Sequence, residues 1–130
     1  MLEMLTLAGH LAQPVSLEWS ERKRALRERL AHVVVTSNAI HQRNDRLPRM
    51  TMERLHGGHG KYDHVHAMLS LDIESVNDAR KFWHVHDETI AHEWAHHLNA
   101  GMNGSRGHDE DFEILFRSLQ DALNAQAVPH

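Results

Sequence analysis

The stretch Thr89–Phe116, TIAHEWAHHLNAGMNGSRGHDEDFEILF, decides how this chain is read. It contains His92-Glu93-Trp94-Ala95-His96, an H-E-x-x-H pattern, followed by Gly107-His108 and then Phe112. Residues four apart share a helical face, so His92 and His96 can grip one metal ion. Glu93 beside them is placed to act as a base on a metal-activated water. Histidine is abundant, at 14 of 130 residues, so the pattern needs support from its surroundings.

The helix around it supplies some. At about 100° per residue, with His92 at zero, His96 falls at about 40° and Glu93 at about 100°. On the same projection Ala91, Trp94, Ala95 and Leu98 fall between about 200° and 300°. The helix therefore has an apolar back for a core and a polar front for a site. A catalytic zinc takes three protein ligands and keeps a fourth position for water, and one helical face cannot encircle an ion. The metzincin continuation fails, because Asn99 and Met102 stand where its glycine and histidine are required. His108 is a candidate third ligand, reached across a loop containing Gly101, Gly104 and Gly107. His97, Asp109, Glu113 and the strand histidines compete with it.

H-E-x-x-H, a loop, and then Gly107-His108-x-x-x-Phe112 together resemble the SprT-like (Spartan-type) zinc metallopeptidases. The resemblance covers about residues 16–123, with motif identity confined to His92, Glu93, His96, Gly107, His108 and Phe112. It implies an α+β, zincin-like fold: an N-terminal helix, a small antiparallel β-hairpin or sheet, the H-E-x-x-H helix and a C-terminal helix. It implies Zn2+ held by His92, His96 and His108. Glu93 is then the general base that passes its proton to the leaving amine. The expected activity is that of a metalloendopeptidase on protein substrates, for several family members proteins bound or crosslinked to DNA. Tyr62, His66, His97 and Arg106 are the candidates for stabilising the oxyanion. The chain departs from many members in having no zinc ribbon, since it has no cysteine. The rival reading keeps fold and zinc without catalysis: a structural or docking protein in a larger assembly, of viral or mobile-element kind.

Upstream, Ser16 to Val35 has helical spacing, with Trp19, Leu26, Leu30 and Val33 as one stripe and Ser16 or Ser20 as a cap. Arg22, Lys23, Arg24, Arg27 and Arg29 resemble a nucleic-acid-binding run. They scatter among Glu18, Glu21 and Glu28, as on a solvated face. Thr36–Pro48 reads as turns. Arg49–Leu55 and Asp63–Ile73 alternate, and Gly57-Gly58-His59-Gly60 between them suggests an antiparallel hairpin with Val65, Ala67, Leu69 and Leu71 on one face. Glu74–Lys81 reads as a short helix or loop. Asp87 is a cap for a helix from about Glu88 to Asn99 or Ala100. A last amphipathic helix from Asp109 carries Phe112, Leu115, Phe116, Leu119 and Leu123 and ends by Pro129. His56 and His59 flank turn glycines and read as solvent-exposed. The pairs His64/His66 and His84/His86, whose spacing could bind metal, read as surface histidines or as partners behind the metal ligands, ahead of a second metal site.

The length of 130 residues fits one domain, 1–130, and the 41% hydrophobic and 25% charged shares are those of a globular protein. A formal net charge of −4 argues against coating nucleic acid through bulk charge, so DNA is a weakly supported partner. The lack of cysteine fits a reducing, cytoplasmic setting. Residues 1–16 lack a basic n-region and read as mature protein. No apolar run approaches the ~20 residues of a membrane span.

Overall fold

Leu26, Leu30 and Val33 do line the buried side of a helix, but it is longer than their spacing alone implies. The structure, a computed structural model, describes residues 18–127. The expectations for residues 1–16 and Pro129 lie outside that range. Helix α1 spans Trp19–His41. It continues past Val35 because Val34, Thr36 and Ser37 extend the buried side. It stops at Gln42, whose φ of 52° is left-handed and whose N–H donates to the Asn38 carbonyl. Trp19, 38% exposed, does not join the stripe.

The basic run divides in two. Arg24 and Arg27 are exposed, as expected. Arg22 instead donates to the carbonyls of Val76 (3.0 Å) and Asn77 (2.8 Å), and Arg29 to that of His86 (3.2 Å). These two side chains are structural ties rather than part of a solvated face.

The chain then forms β1 (Arg49–Glu53), β2 (Gly60–Asp63) and β3 (Met68–Asp72), in the spatial order β1-β3-β2. The two expected strands do not form an antiparallel hairpin. β1 and β3 run parallel, with Met52 opposite Leu71, and the glycine-rich segment leads into β2, which pairs antiparallel with β3. Two aspartates explain the difference. The Asp63 carboxylate accepts from the N–H groups of Val65 (2.9 Å) and His66 (3.1 Å), turning the chain where a continuous strand was expected. Ala67, at φ 50°, completes the turn, and Val65 is 80% exposed instead of core-facing. Asp72, at the end of β3, accepts from Leu55 N–H (3.0 Å) while its own N–H donates to the His59 carbonyl (2.8 Å). That pins the crossing from one edge of β3 to the other.

Asp72 also caps the short α2 (Ile73–Asn77) by accepting from Ser75 N–H. The next helix is continuous from Phe82: α3 (Phe82–His84), a π-helical turn (Val85–Thr89) and α4 (Ile90–Asn103). Asp87 therefore lies inside a helix and does not cap one. α4 runs through Gly101 and ends at Gly104, whose φ of 69° suits only glycine comfortably. Helix α5 (Glu110–Ala127) follows. The core gathers Leu26 and Leu30 of α1, Leu69 and Leu71 of β3, Trp94 and Leu98 of α4, and Leu119 and Leu123 of α5. This is a mixed α+β arrangement in which α4 packs on α1, α5 and β2.

Candidate metal centre

The apolar back of α4 is buried as its periodicity requires: Ala91, Trp94, Ala95 and Leu98 are all in the interior. That fixes the rotation of the helix and leaves His92 and His96 on the side facing α5. His108 joins them from the loop before α5. One nitrogen from each of the three lies within 4.8 Å of the others. A tetrahedral ion with Zn–N bonds of about 2.0–2.1 Å spaces its ligand nitrogens by roughly 3.4 Å, so the trio is close enough to hold a metal ion.

His96 Nε2 and His108 Nε2 are 2.9 Å apart, a distance at which two imidazoles share a proton or a cation. Burial lowers the pKa of His96, and His92, His108 and His64 push the same way against the opposing Glu93 carboxylate. The neutral imidazole, which is the form that ligates, is thereby favoured. His92 Nδ1 lies 3.0 Å from Glu93 Oε2. This contact orients the ring and leaves Nε2 of His92 for a ligand role.

Phe112 explains the spacing of the second half of the motif. It is fully buried, stacks on His96 (4.2 Å between centroids, 26° between planes) and touches the rings of His92 and His108. One turn later Phe116 packs edge-on against His92 at 5.2 Å. An aromatic floor thus excludes water from beneath the trio.

The placement of His108 rests on the loop ends. Asn99, fully buried in α4, donates to Asp109 Oδ1 at 3.1 Å, and the same oxygen accepts from Phe112 N–H at 2.9 Å. Ser105 Oγ donates to the other carboxylate oxygen. The Ser105 hydroxyl, followed by Phe112 N–H, holds the Asp109 carboxyl below its ordinary pKa. As the cap of α5, Asp109 is thus spoken for and does not compete as a ligand. His97 is also committed elsewhere, with Nε2 3.2 Å from Asp45 Oδ1, and Glu113 is exposed on α5.

Glu93 is only 8% exposed although its side chain is a carboxyl group. Gly60 makes room for it: a Cβ there would lie 2.8 Å from Thr89 Cγ2 and 3.3 Å from Glu93 Cγ. The trio and Glu93 open onto a cleft of about 450 Å³ also lined by Gly58, His59, Gly60, His84, Glu88 and Thr89. The sequence-based oxyanion candidates are not among these lining residues. Tyr62 packs edge-on against Trp94 and His97, His66 is held by Asp63 at 2.8 Å, and Arg106 is exposed. His59, by contrast, is half-buried in the cleft wall, with Nδ1 2.7 Å from Ser75 Oγ. Its partner is distant in sequence, so no local pattern could have flagged it. Among the described residues no helix is long and apolar enough to cross a membrane. No known protein-family model matches this chain, and no curated protein or solved structure does either.

Proposed function

We propose that the chain is a zinc-dependent metalloendopeptidase of the SprT-like type, acting on polypeptides. The observation that carries this reading is Glu93, a buried carboxylate beside three convergent imidazoles, opening onto a cleft of about 450 Å³. Three nitrogen donors fit zinc, which when bound supplies Lewis acidity and activates water at neutral pH. His92, His96 and His108 would hold the ion. Glu93 takes a proton from the attacking water as its oxygen bonds to the scissile carbonyl carbon. It then delivers that proton to the departing amine nitrogen as the C–N bond breaks. Phe112 and Phe116 keep the floor dry, which strengthens the electrostatic interactions of the carboxylate. Proteins associated with DNA are within the proposed substrate class.

A second reading has one observation in its favour. The 3.0 Å contact between His92 Nδ1 and Glu93 Oε2 also suits a carboxylate that merely orients a ligand. The chain would then be a non-catalytic zinc module that docks other proteins. Glu93→Gln separates the two. The peptidase reading expects full zinc stoichiometry in the variant and a fall in casein cleavage of about 10²- to 10⁴-fold. Wild-type protein that binds zinc and leaves unfolded casein intact would establish the second.

A further inference from the structure

His59 is connected to a buried carboxylate in a way that fixes which of its nitrogens carries the proton. Its Nδ1 lies 2.7 Å from Ser75 Oγ, and Ser75 Oγ lies 2.8 Å from Asp72 Oδ2. Burial opposes ionisation of Asp72, but the N–H of Leu55 and the hydroxyl and N–H of Ser75 outweigh it, leaving its pKa below the ordinary value. An ionised carboxylate only accepts, so the single Ser75 hydroxyl proton points to Asp72. Ser75 Oγ must then accept from His59 Nδ1–H. A neutral His59 therefore has a bare Nε2, and among the described residues nothing donates to that atom.

The neutral form is also the favoured one. Burial lowers the His59 pKa, and the nearby His84 and Lys81 act in the same sense, against Asp72 and Glu88. His84 faces it edge-on at 5.0 Å. A bare nitrogen cannot stabilise an oxyanion, which needs a donor. It can accept from an N–H, and a polypeptide carries one in every residue but proline. The wall beside it lets a main chain approach: Gly58, which lines the same cleft, has no side chain, and a Cβ there would meet only the Gly60 carbonyl, at 4.0 Å.

We propose that His59 is a substrate-binding residue, whose Nε2 accepts a hydrogen bond from a main-chain N–H of the polypeptide in the metal cleft. Ser75 is the positioning residue that sets its tautomer. The inference rests on the peptidase reading for its substrate, and the test keeps the two apart.

The protein would be zinc-loaded, labelled with [15N]histidine and made as Glu93→Gln so that it binds without turnover. Long-range 1H–15N spectra near neutral pH should show His59 protonated at Nδ1 and bare at Nε2. Unfolded β-casein should then shift the Nε2 resonance. In otherwise wild-type protein, His59→Phe should raise KM for casein about 2- to 10-fold with kcat unchanged within about twofold. Ser75→Ala should give a mixture of tautomers and a smaller rise in KM. A His59 protonated at Nε2, an Nε2 resonance indifferent to saturating casein, or an unchanged KM in His59→Phe overturns the proposal. So does a second zinc equivalent that His59→Phe removes, since that would make Nε2 a metal ligand. If wild-type protein cuts nothing while Nε2 still responds to casein, the peptidase reading alone has failed and His59 remains a polypeptide-binding group.

Discussion

Asn99, fully buried on α4, donates its side-chain amide to Asp109 Oδ1 at 3.1 Å, so the helix bearing His92 and His96 itself fixes the residue next to His108. Asn103 Nδ2 donates in turn to Asn99 Oδ1 at 2.8 Å, which orients the amide. The loop that begins at Gly104 is thus closed by a bond from α4 to the residue that caps α5. Asn99→Leu keeps the branched shape and number of heavy atoms and removes the bond. Zinc affinity, measured by competition with a chromogenic chelator, should fall about 10-fold while the far-ultraviolet circular dichroism spectrum stays unchanged. Unaltered affinity would show that the loop holds His108 without Asn99.

The π-helical turn just ahead of His92 leaves carbonyls exposed to the α1 side, and Arg29 meets them: Nε donates to His86 O at 3.2 Å and Nη2 to Asp87 O at 3.4 Å. Arg29→Met keeps the aliphatic stem and removes both donors. Unfolding free energy should drop by about 1.5–3 kcal/mol, the range for hydrogen bonds to a charged group. Hydrogen exchange should quicken first in residues 85–91. Uniform acceleration along the chain would mean that the loss is global and that the turn does not depend on Arg29.

Gly60 sits where β2 meets the start of α4. Gly60→Ala would press a methyl group against Thr89 Cγ2 and Glu93 Cγ, at 2.8 and 3.3 Å before relaxation. The crowding should cost about 1–3 kcal/mol of stability. Because the three atoms nearest this methyl belong to Thr89, Glu93 and Ser70 and to none of the three histidines, zinc stoichiometry should stay at the wild-type value while cleavage falls. Loss of zinc together with activity would instead mean that β2 supports the ligands themselves.

These residues also show what could be read from the chain unaided. The trio was legible because helical spacing fixes His92 against His96, and because Phe112 follows His108 by the one turn needed to place its ring under the imidazoles. The burial of Ala91, Trp94, Ala95 and Leu98 followed from the same period. Strand pairing was not legible. Alternation in Arg49–Leu55 and Asp63–Ile73 states which faces exist, not which strands are neighbours. The deciding interactions are the carboxylates of Asp63 and Asp72 bonding backbone N–H groups, up to 17 positions away for Leu55. The roles of Arg22, Arg29 and His59 were hidden for the same reason, since each partner lies on a different element. The π-helical turn, five residues long, is too short to show a period in the sequence, so Asp87 looked like a cap for a helix that had already begun.

The loop after α1 should respond to acid. Asp45 accepts from Arg43 Nε at 2.7 Å and Nη2 at 3.1 Å and lies 3.2 Å from His97 Nε2, while its backbone N–H and carbonyl are both bonded by the Asn38 side chain. The bond to Arg43 pulls the Asp45 pKa down. Burial opposes this, and the bond to His97 adds to the lowering, so the folded value lies below the ordinary 3.8. For a carboxyl depressed on folding, the stabilisation is complete above the unfolded pKa of about 3.9 and disappears as pH falls through the folded value. Wild-type protein should therefore be more stable than Asp45→Asn at pH 6 by a margin that holds to about pH 4 and shrinks below it. Urea midpoints for both proteins across that range measure the margin. The other depressed carboxyls, among them Asp72 and Asp109, are common to both proteins and cancel in the difference. A margin that grows as the pH falls would reverse the sign and remove the Arg43–Asp45 pair as the anchor of this loop.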